Sequence, residues 1–239
     1  MLVLHMILYE DDFILAMAKP NNMLVHHSSM ARNQSDAQTL LDVLLEQFET
    51  AFYPVHRLDS KTSGIVLCAK KKEYVAKFQE LFVSNQIQKV YYGLVRGFSP
   101  ENGTINSPVK GRDANVYKEA HTDFETLATV ELPIAVHPFQ TSRYSLVQLR
   151  PKTGRMHQLR IHLNKISHPL IGDPKYGDRF HNRMFQSTFE ISNLFLHAAE
   201  LSFVHPFLEQ PISITCHFPI HWDKILEKFN WNLTSLLKF

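Results

Sequence analysis

Short segments with the sequence pattern of β-strands follow one another along most of this chain. Several neighbouring segments have no helical pattern between them, which argues against the strand–helix alternation of a doubly wound parallel sheet. We therefore predict an α+β fold with a largely antiparallel mixed central sheet, flanked by helices and loops. The predicted strands are residues 6–9, 13–17, 65–69, 90–95, 124–132, 144–149, 194–204 and 212–218.

Apolar residues recur at helical spacing in four other segments, residues 40–48, 74–82, 156–166 and 222–229. We expect Ser35-Asp36 to cap the first of these helices. Residues 99–122 contain proline, glycine and asparagine with little periodicity, and we expect a long loop there. Because no linker or internal repeat interrupts the pattern, residues 1–239 are predicted to form one domain.

The composition favours a cytoplasmic protein with no membrane partner. Hydrophobic residues make up 44% of the 239 residues, which is enough for a sizeable core. Cys68 and Cys216 lie far apart in apolar runs, which is typical of reduced buried thiols. The N-terminal stretch MLVLHMILYEDD lacks the basic region of a signal peptide, and no segment has the length of a membrane span.

Positive charge is concentrated in one part of the chain. The overall net charge is +2, but residues 150–183 contain eight Lys/Arg and only two Asp, a net charge of +6. This segment, called the basic block below, suggests a polyanionic partner such as nucleic acid. From charge alone, a solvated basic surface is an equally good interpretation.

The motifs of several common enzyme classes are missing, including GxGxxG, the phosphate-binding loop and GxSxG. His157 and His162 are five residues apart, so they do not face a common metal ion on a helix, and we expect no metal site. Asp59, Tyr91 and Arg160 remain as distinctive polar residues at the ends of elements. Taken singly, each also fits a structural role: a turn cap, a strand aromatic and a surface arginine.

Three motifs occur in a defined order: HRLDSKTSG (56–64), KVYYGLVRG (89–97) and GRMHQLRIHL (154–163). Together they resemble the pseudouridine synthases of the RluA superfamily, whose motifs read HRLDxxTSG, KxYxAxVxG and GRxHQ(L/I)RxH. The flanking stretches AKPNNMLVHHS and HPLIGDPKYGD agree with that family as well, so the resemblance covers residues 7–218. Asn22 stands where the family usually has glycine, and asparagine also tolerates a left-handed backbone.

The resemblance implies an enzyme that isomerises uridine in RNA to pseudouridine without a metal or an organic cofactor. Asp59 matches the essential aspartate, which adds to the ribose C1′ or the uracil C6, or removes the C2′ proton; the residues do not choose among these. Arg160 matches the basic residue that pairs with this aspartate. Tyr91 matches the active-site tyrosine, whose ring stacks on the base and whose hydroxyl moves a proton.

The resemblance also assigns RNA contacts around these three residues. A uridine that reacts must leave its stack, and Arg57 is placed by resemblance to occupy the vacated space. A structural salt bridge between Arg57 and Asp59 is the alternative in the free protein. The remaining predicted substrate contacts are His56, Leu58, Arg155, His157, Gln158 and Ile161.

One subgroup of the superfamily is most similar, the TruC group of tRNA pseudouridine synthases, through residues 127–183. It implies uridine 65, at the base of the T stem of tRNA, as the target. The alternatives are a synthase of the same type acting on 23S rRNA, or on both RNAs, and an inactive relative that only binds RNA. We expect a monomer without the N-terminal S4 RNA-binding module of some relatives.

Overall fold

The structure is a computed structural model that describes residues 4–27, 38–111 and 116–232. The chain divides into two compact units. Unit 1 consists of Met1–Lys89 and Ala198–His217, and unit 2 of Val90–His197 and Phe218–Phe239. Each unit has its own sheet region and its own apolar core.

The strands of unit 1 surround one fully buried strand, β4 (Ser63–Ala69). β4 pairs antiparallel with β2 (Ile14–Lys19) and with the short β3 (Tyr53–Pro54), and β2 continues to β1 (Ile7–Glu10). On its other side β4 neighbours β11 (Leu196–Val204), which pairs antiparallel with β12 (Pro211–Thr215). This central position explains the continuous apolar run in β4, because both of its faces are covered.

The α-helices in the described part of unit 1 are α1 (Leu40–Phe48) and α2 (Val75–Val83). The Thr39 hydroxyl accepts from the N–H of Asp42 while the Asp42 carboxylate accepts from the N–H of Thr39, a capping box that starts α1. The predicted cap at Ser35-Asp36 is therefore wrong, and that pair lies outside the described residues. Apolar side chains of α2, β2 and β4 meet in one core, which includes Cys216 at its edge.

The sheet region of unit 2 has the order β5 (Gln88–Arg96), β10 (Ser142–Pro151), β9 (His121–Leu132) and β6 (Asn102–Asn106). These three pairings are antiparallel. β7 (Val109–Lys110) and β8 (Tyr117–Lys118) form a separate antiparallel pair.

The predicted loop over residues 99–122 is wrong, because β6, β7, β8 and the start of β9 lie there. β6 reads Asn-Gly-Thr-Ile-Asn and is the last strand in the order of unit 2. Among its residues only Ile105 is buried, so this strand carries no alternating apolar pattern. Edge strands of this kind are held by backbone pairing, which sequence periodicity does not reveal.

Among the described residues of unit 2 there are three α-helices: α3 (Gln158–Lys165), α4 (Arg179–Phe189) and α5 (Ile220–Lys228). The first and last were predicted, whereas α4 was not, because its sequence is rich in polar residues. The Asp178 carboxylate starts α4 by accepting from the N–H groups of Phe180 and His181. None of the helices in the described ranges is long and apolar enough to span a bilayer.

The pairings and helices agree with the predicted α+β class. Cys68 and Cys216 are buried and form no disulfide, as expected, and burial raises the pKa of each thiol to about 12. Asn22 adopts the left-handed conformation that the sequence predicted, with φ 65°.

Candidate active site

His56 ties the loop between β3 and β4 to the core of unit 1. Its Nε2 accepts a hydrogen bond of 3.1 Å from the backbone N–H of Leu67, and its ring lies 4.6 Å from that of Phe82. Burial, with a smaller effect of the Lys89 charge, lowers the pKa of His56 to about 3. The imidazole is therefore neutral in the working range of most enzymes and serves here as a structural acceptor.

Asp59 lies at the start of a tight turn in the same loop. The backbone N–H of Thr62 donates to the Asp59 carbonyl at 3.0 Å, and this hydrogen bond closes the turn. Asp59 is half-buried, the preceding Leu58 is buried and Arg57 is exposed. These three consecutive side chains thus range from the core to the solvent.

A buried lysine that the sequence reasoning missed supports this turn. Lys19, at the end of β2, is 1% exposed, and its Nζ donates to the carbonyls of Pro20 (2.8 Å), Met23 (2.9 Å) and Ser60 (3.0 Å). Burial lowers the pKa of Lys19 to about 7, while the charge of Asp59 acts in the opposite direction. The only signal for it was the Lys-Pro pair in AKPNN.

Gly64 allows β4 to begin directly after the Asp59 turn. It has φ +114°, a conformation that side chains rarely adopt, and a Cβ at this position would lie 2.1 Å from the carbonyl oxygen of Ala198. The glycine of the TSG sequence is therefore required for the close approach of β4 and β11.

Tyr91 and the start of α3 lie in unit 2. Tyr91 is half-buried on β5, opposite Leu149 of β10, and packs against the apolar core of that unit. Its aromatic ring is therefore held by a regular strand. Ile161, in the first turn of α3, is half-buried as well.

Gln158 anchors the turn that leads into α3. Its Oε1 accepts from the hydroxyl of Thr153 (2.7 Å) and the N–H of Arg155 (3.0 Å). Its Nε2 donates to the carbonyl of His121 and the hydroxyl of Thr122, both at 3.0 Å. Because the buried amide is fully engaged, Gln158 supports the motif from within the protein.

Arg155 and His157 flank this anchor. Arg155 is exposed, and its Nε donates to the carbonyl of Glu119 at 3.1 Å. His157 has a left-handed backbone (φ 55°), which turns the chain into α3, and its Nδ1 lies 3.0 Å from the hydroxyl of Tyr176. Whether these side chains contact RNA stays a prediction.

Arg160 is buried and forms a two-point ion pair with Asp173, which the sequence analysis did not identify. Nε donates to Oδ2 at 2.7 Å and Nη2 to Oδ1 at 2.8 Å. The guanidinium also lies over the ring of Tyr176, at 5.2 Å from its centroid. Asp173 and Tyr176 both come from the HPLIGDPKYGD stretch, so this flanking motif contributes directly to the surroundings of Arg160.

The basic block is not one continuous basic surface. Arg150 and Lys152 pair with acidic residues outside the block, Glu125 at 3.7 Å and Asp123 at 3.2 Å. Lys165 donates to the Ser107 hydroxyl and the Pro108 carbonyl. Arg155, Lys175, Arg179 and Arg183 are further exposed cations of the block. Of these, Lys175 and Arg179 lie over the rings of Tyr176 and Phe180, at 5.3 and 4.7 Å from the ring centroids.

Chemically, these residues supply a carboxylate, a phenol and a guanidinium. Such groups suffice for nucleophilic or acid–base catalysis. Within the described ranges, no three His, Cys, Asp or Glu side chains are grouped so that they can hold a metal ion.

Comparison with known proteins identifies relatives along nearly the whole chain. A model of the RNA pseudouridylate synthase family matches residues 13–165, which include all three motifs. The tRNA pseudouridine synthase C of Vibrio cholerae is 36% identical over 97% of this chain and 98% of its own length. The proteins of that name from Pasteurella multocida and Haemophilus influenzae are both 38% identical, over 96% and 94% of this chain and 98% of their own lengths.

Solved structures share the fold. The human RNA Pseudouridylate Synthase Domain Containing 4 protein superimposes with a TM-score of 0.73 at 24% identity, covering 96% of this chain and 94% of that chain. The human Domain Containing 1 protein gives a TM-score of 0.65 at 22% identity, covering 95% and 94%. The predicted fold class is thereby confirmed.

Proposed function

Because this chain belongs to the RNA pseudouridylate synthase family, we propose that it isomerises a single uridine of tRNA, uridine 65, to pseudouridine. The observation that carries the tRNA assignment is the full-length similarity to bacterial proteins named tRNA pseudouridine synthase C. The similarity extends well beyond residue 165, where the family model ends, and so includes Asp173 and α4.

In the proposed reaction Asp59 is the essential carboxylate. The glycosidic bond between N1 and C1′ breaks, the uracil rotates, and a bond between C5 and C1′ forms. The C5 proton leaves and N1 gains a proton, so the product has the same atoms and oxidation state as the substrate. This isomerisation requires no redox cofactor, and a carboxylate is able to start it as nucleophile or as base.

Tyr91 and Arg160 have supporting roles in this proposal. The Tyr91 ring stacks on the uracil, and its hydroxyl relays the C5 proton by passing on its own proton as it takes that one up. By resemblance, Arg160 is the basic residue that acts together with the essential carboxylate of Asp59. Support for the second role comes from the burial of Arg160, since charge interactions strengthen where water is excluded.

Access to a paired uridine requires that the base leave the helix, which costs a few kcal/mol. Arg57 supports this step because its exposed guanidinium is able to stack where the uracil was. Phosphate contacts by the exposed cations Lys175, Arg179 and Arg183 offset the remaining cost.

We further propose that the enzyme acts in the cytoplasm as a monomer, with residues 1–239 as a single catalytic domain. The monomer is supported by the fact that one chain supplies every residue named in the reaction. Light scattering of the purified protein, with and without tRNA, tests this by its molar mass.

A pseudouridine map of total RNA from a strain lacking the gene tests the assignment. We expect one tRNA stem uridine, position 65, to remain unmodified and to be restored by the wild-type gene but not by an Asp59→Asn copy. Loss of a 23S rRNA pseudouridine with all tRNA sites intact contradicts the tRNA assignment and favours the ribosomal alternative. An unchanged map contradicts the enzyme's proposed role and favours an RNA-binding relative.

A further inference from the structure

The ion pair between Arg160 and Asp173 defines both the position and the plane of the guanidinium. Two N–H groups meet the two carboxylate oxygens at 2.7 and 2.8 Å, and the side chains are 6% and 1% exposed. A two-point pair of this kind is more directional than a single charge contact. Asp173 thus holds one edge of the Arg160 guanidinium.

Asp173 is itself held by the surrounding backbone. Its Oδ1 accepts from the N–H groups of Lys175 (2.9 Å) and Tyr176 (3.0 Å). Its carbonyl oxygen accepts from Asn182 Nδ2 at 2.9 Å and from the N–H of Gly177 at 3.1 Å. The carboxylate is therefore held by the turn at residues 175–176, and the Asp173 backbone is tied to α4 through Asn182.

The ring of Tyr176 covers one face of the same guanidinium. The Arg160 Cζ lies 5.2 Å from the ring centroid, within the range of a cation–π contact. The Tyr176 hydroxyl lies 3.0 Å from Nδ1 of His157, the residue that starts α3. One edge and one face of Arg160 are therefore both defined by a single short segment, residues 173–176.

Asp173 is not a proton donor in this arrangement. Burial on its own raises the pKa of the Asp173 carboxyl, but hydrogen bonds and charge from Arg160, with the N–H groups of Tyr176 and Lys175, hold that pKa below the usual range. A buried ion pair contributes little net stability compared with an apolar pair of the same size. Orientation of the arginine is therefore the effect that best accounts for this pair.

We propose that Asp173, together with the ring of Tyr176, is a positioning element of the isomerase that fixes the direction in which Arg160 acts on the reacting groups. This inference rests on the catalytic role proposed for Arg160. It extends that proposal by assigning a function to the segment DPKY (173–176), which lies outside the three principal motifs.

Asp173→Asn tests the proposal directly. The Asn oxygen still accepts from the N–H groups of Lys175 and Tyr176, but the amide nitrogen presents a donor to the guanidinium donors of Arg160. We expect kcat on folded tRNA to fall on the order of 100-fold, because a small misplacement of a catalytic group has effects of that size. KM and the affinity for tRNA should stay within about threefold, since an interaction that acts in the transition state changes kcat rather than binding.

Asp178→Asn is the matched control. Asp178 also pairs with an arginine, Arg96, at 2.7 Å, and also accepts backbone N–H groups, at the start of α4. The substitution is chemically the same and lies five residues away, so it reports any general effect on α4. We expect its kcat to stay near the wild-type value.

A double-mutant cycle separates positioning from a general structural effect. In an Arg160→Gln background there is no guanidinium to orient, so Asp173→Asn should lower kcat by less than about threefold. If the two losses instead multiply, Asp173 acts independently of Arg160 and the proposal is overturned. A kcat for Asp173→Asn equal to that of the control overturns it as well.

Two further variants decide the question if Asp173→Asn does not fold. Tyr176→Leu removes the ring over Arg160 at a half-buried site, whereas Tyr176→Phe retains it. We expect the first to lose kcat and the second to retain it; equal activities contradict the proposal. If the wild-type protein modifies no RNA at all, the proposed function itself fails. If the wild type and all variants are equally active, only the positioning role of Asp173 and Tyr176 fails.

Discussion

The Nζ of Lys19 lies 3.0 Å from the carbonyl oxygen of Ser60, and Ser60 follows Asp59 directly in the chain. The same ammonium donates to the carbonyls of Pro20 and Met23. A single buried cation therefore joins the end of β2 to the turn that carries the proposed catalytic carboxylate. Through this hydrogen bond the Lys-Pro pair and the HRLD stretch, about forty residues apart in sequence, stabilise the same part of unit 1.

We expect Lys19→Met to destabilise the protein. The substitution leaves three carbonyls without their donor, and a buried unsatisfied polar group costs about 1–3 kcal/mol, so a loss on the order of 3 kcal/mol is expected. Urea unfolding measures the free energy. Lys70→Met is the control, because Lys70 pairs with Glu10 at a solvent-accessible site and should contribute less than about 1 kcal/mol. Equal losses in both variants contradict the assigned role of Lys19.

We expect Asp59→Asn to abolish isomerisation and to leave tRNA affinity within about threefold, because the amide has a similar size but is neither a nucleophile nor a base. Tritium release from labelled tRNA measures turnover, and filter retention measures binding. Asp12→Asn, at an exposed turn of the same unit, is the control for the chemical change. Turnover by Asp59→Asn near the wild-type rate excludes Asp59 as the essential carboxylate.

His56 should make stability depend on pH in the acidic range. Its pKa of about 3 in the folded protein lies below the ordinary value of 6.5, so between these pH values the unfolded chain binds a proton that the folded chain does not. Stability is therefore retained above pH 6.5 and lost as the pH falls towards 3. His56→Gln removes this contribution, and its thermal midpoint should fall less between pH 6.5 and 4 than that of the wild type.

The control for this pH experiment is His217→Gln, since His217 is exposed in the same unit. It should follow the wild-type pH dependence. If the thermal midpoint of His56→Gln falls with pH as steeply as that of the wild type, the acid sensitivity comes from other buried histidines. One of these is His221, whose pKa burial lowers to about 4.

The basic block should contribute unequally to RNA binding. Arg179→Gln with Arg183→Gln removes two exposed cations, and the slope of log affinity against log salt should fall by roughly 1 to 2. Arg150→Gln with Lys152→Gln removes the same charge, but these residues already pair with Glu125 and Asp123, so a smaller change is expected. Competitive filter binding of tRNA at several salt concentrations distinguishes the two pairs. A larger effect of the second pair contradicts this division of the block.

Much of the fold was predictable because the relevant signals are local. The alternating or continuous apolar pattern of β2, β4, β5 and β10 depends on which residues the strand buries, and periodicity reports burial. Elements with few buried apolar residues were missed for the same reason. β6 is held by backbone pairing with β9, and α4 begins through the Asp178 cap, and neither interaction creates an apolar pattern.

The sequence by itself determined the family and the three motifs, and these motifs indicated Asp59, Tyr91 and Arg160 as candidate catalytic residues, because long ordered motifs specify a common chemistry. Only the tertiary structure decided which groups surround two of those residues. Lys19 meets Ser60 across 41 residues, and Asp173 meets Arg160 across 13. Contacts of this kind depend on how the chain folds back on itself and on burial that strengthens charge interactions. No periodicity in the sequence encodes them, so the supporting residues of the site emerge only from the folded chain.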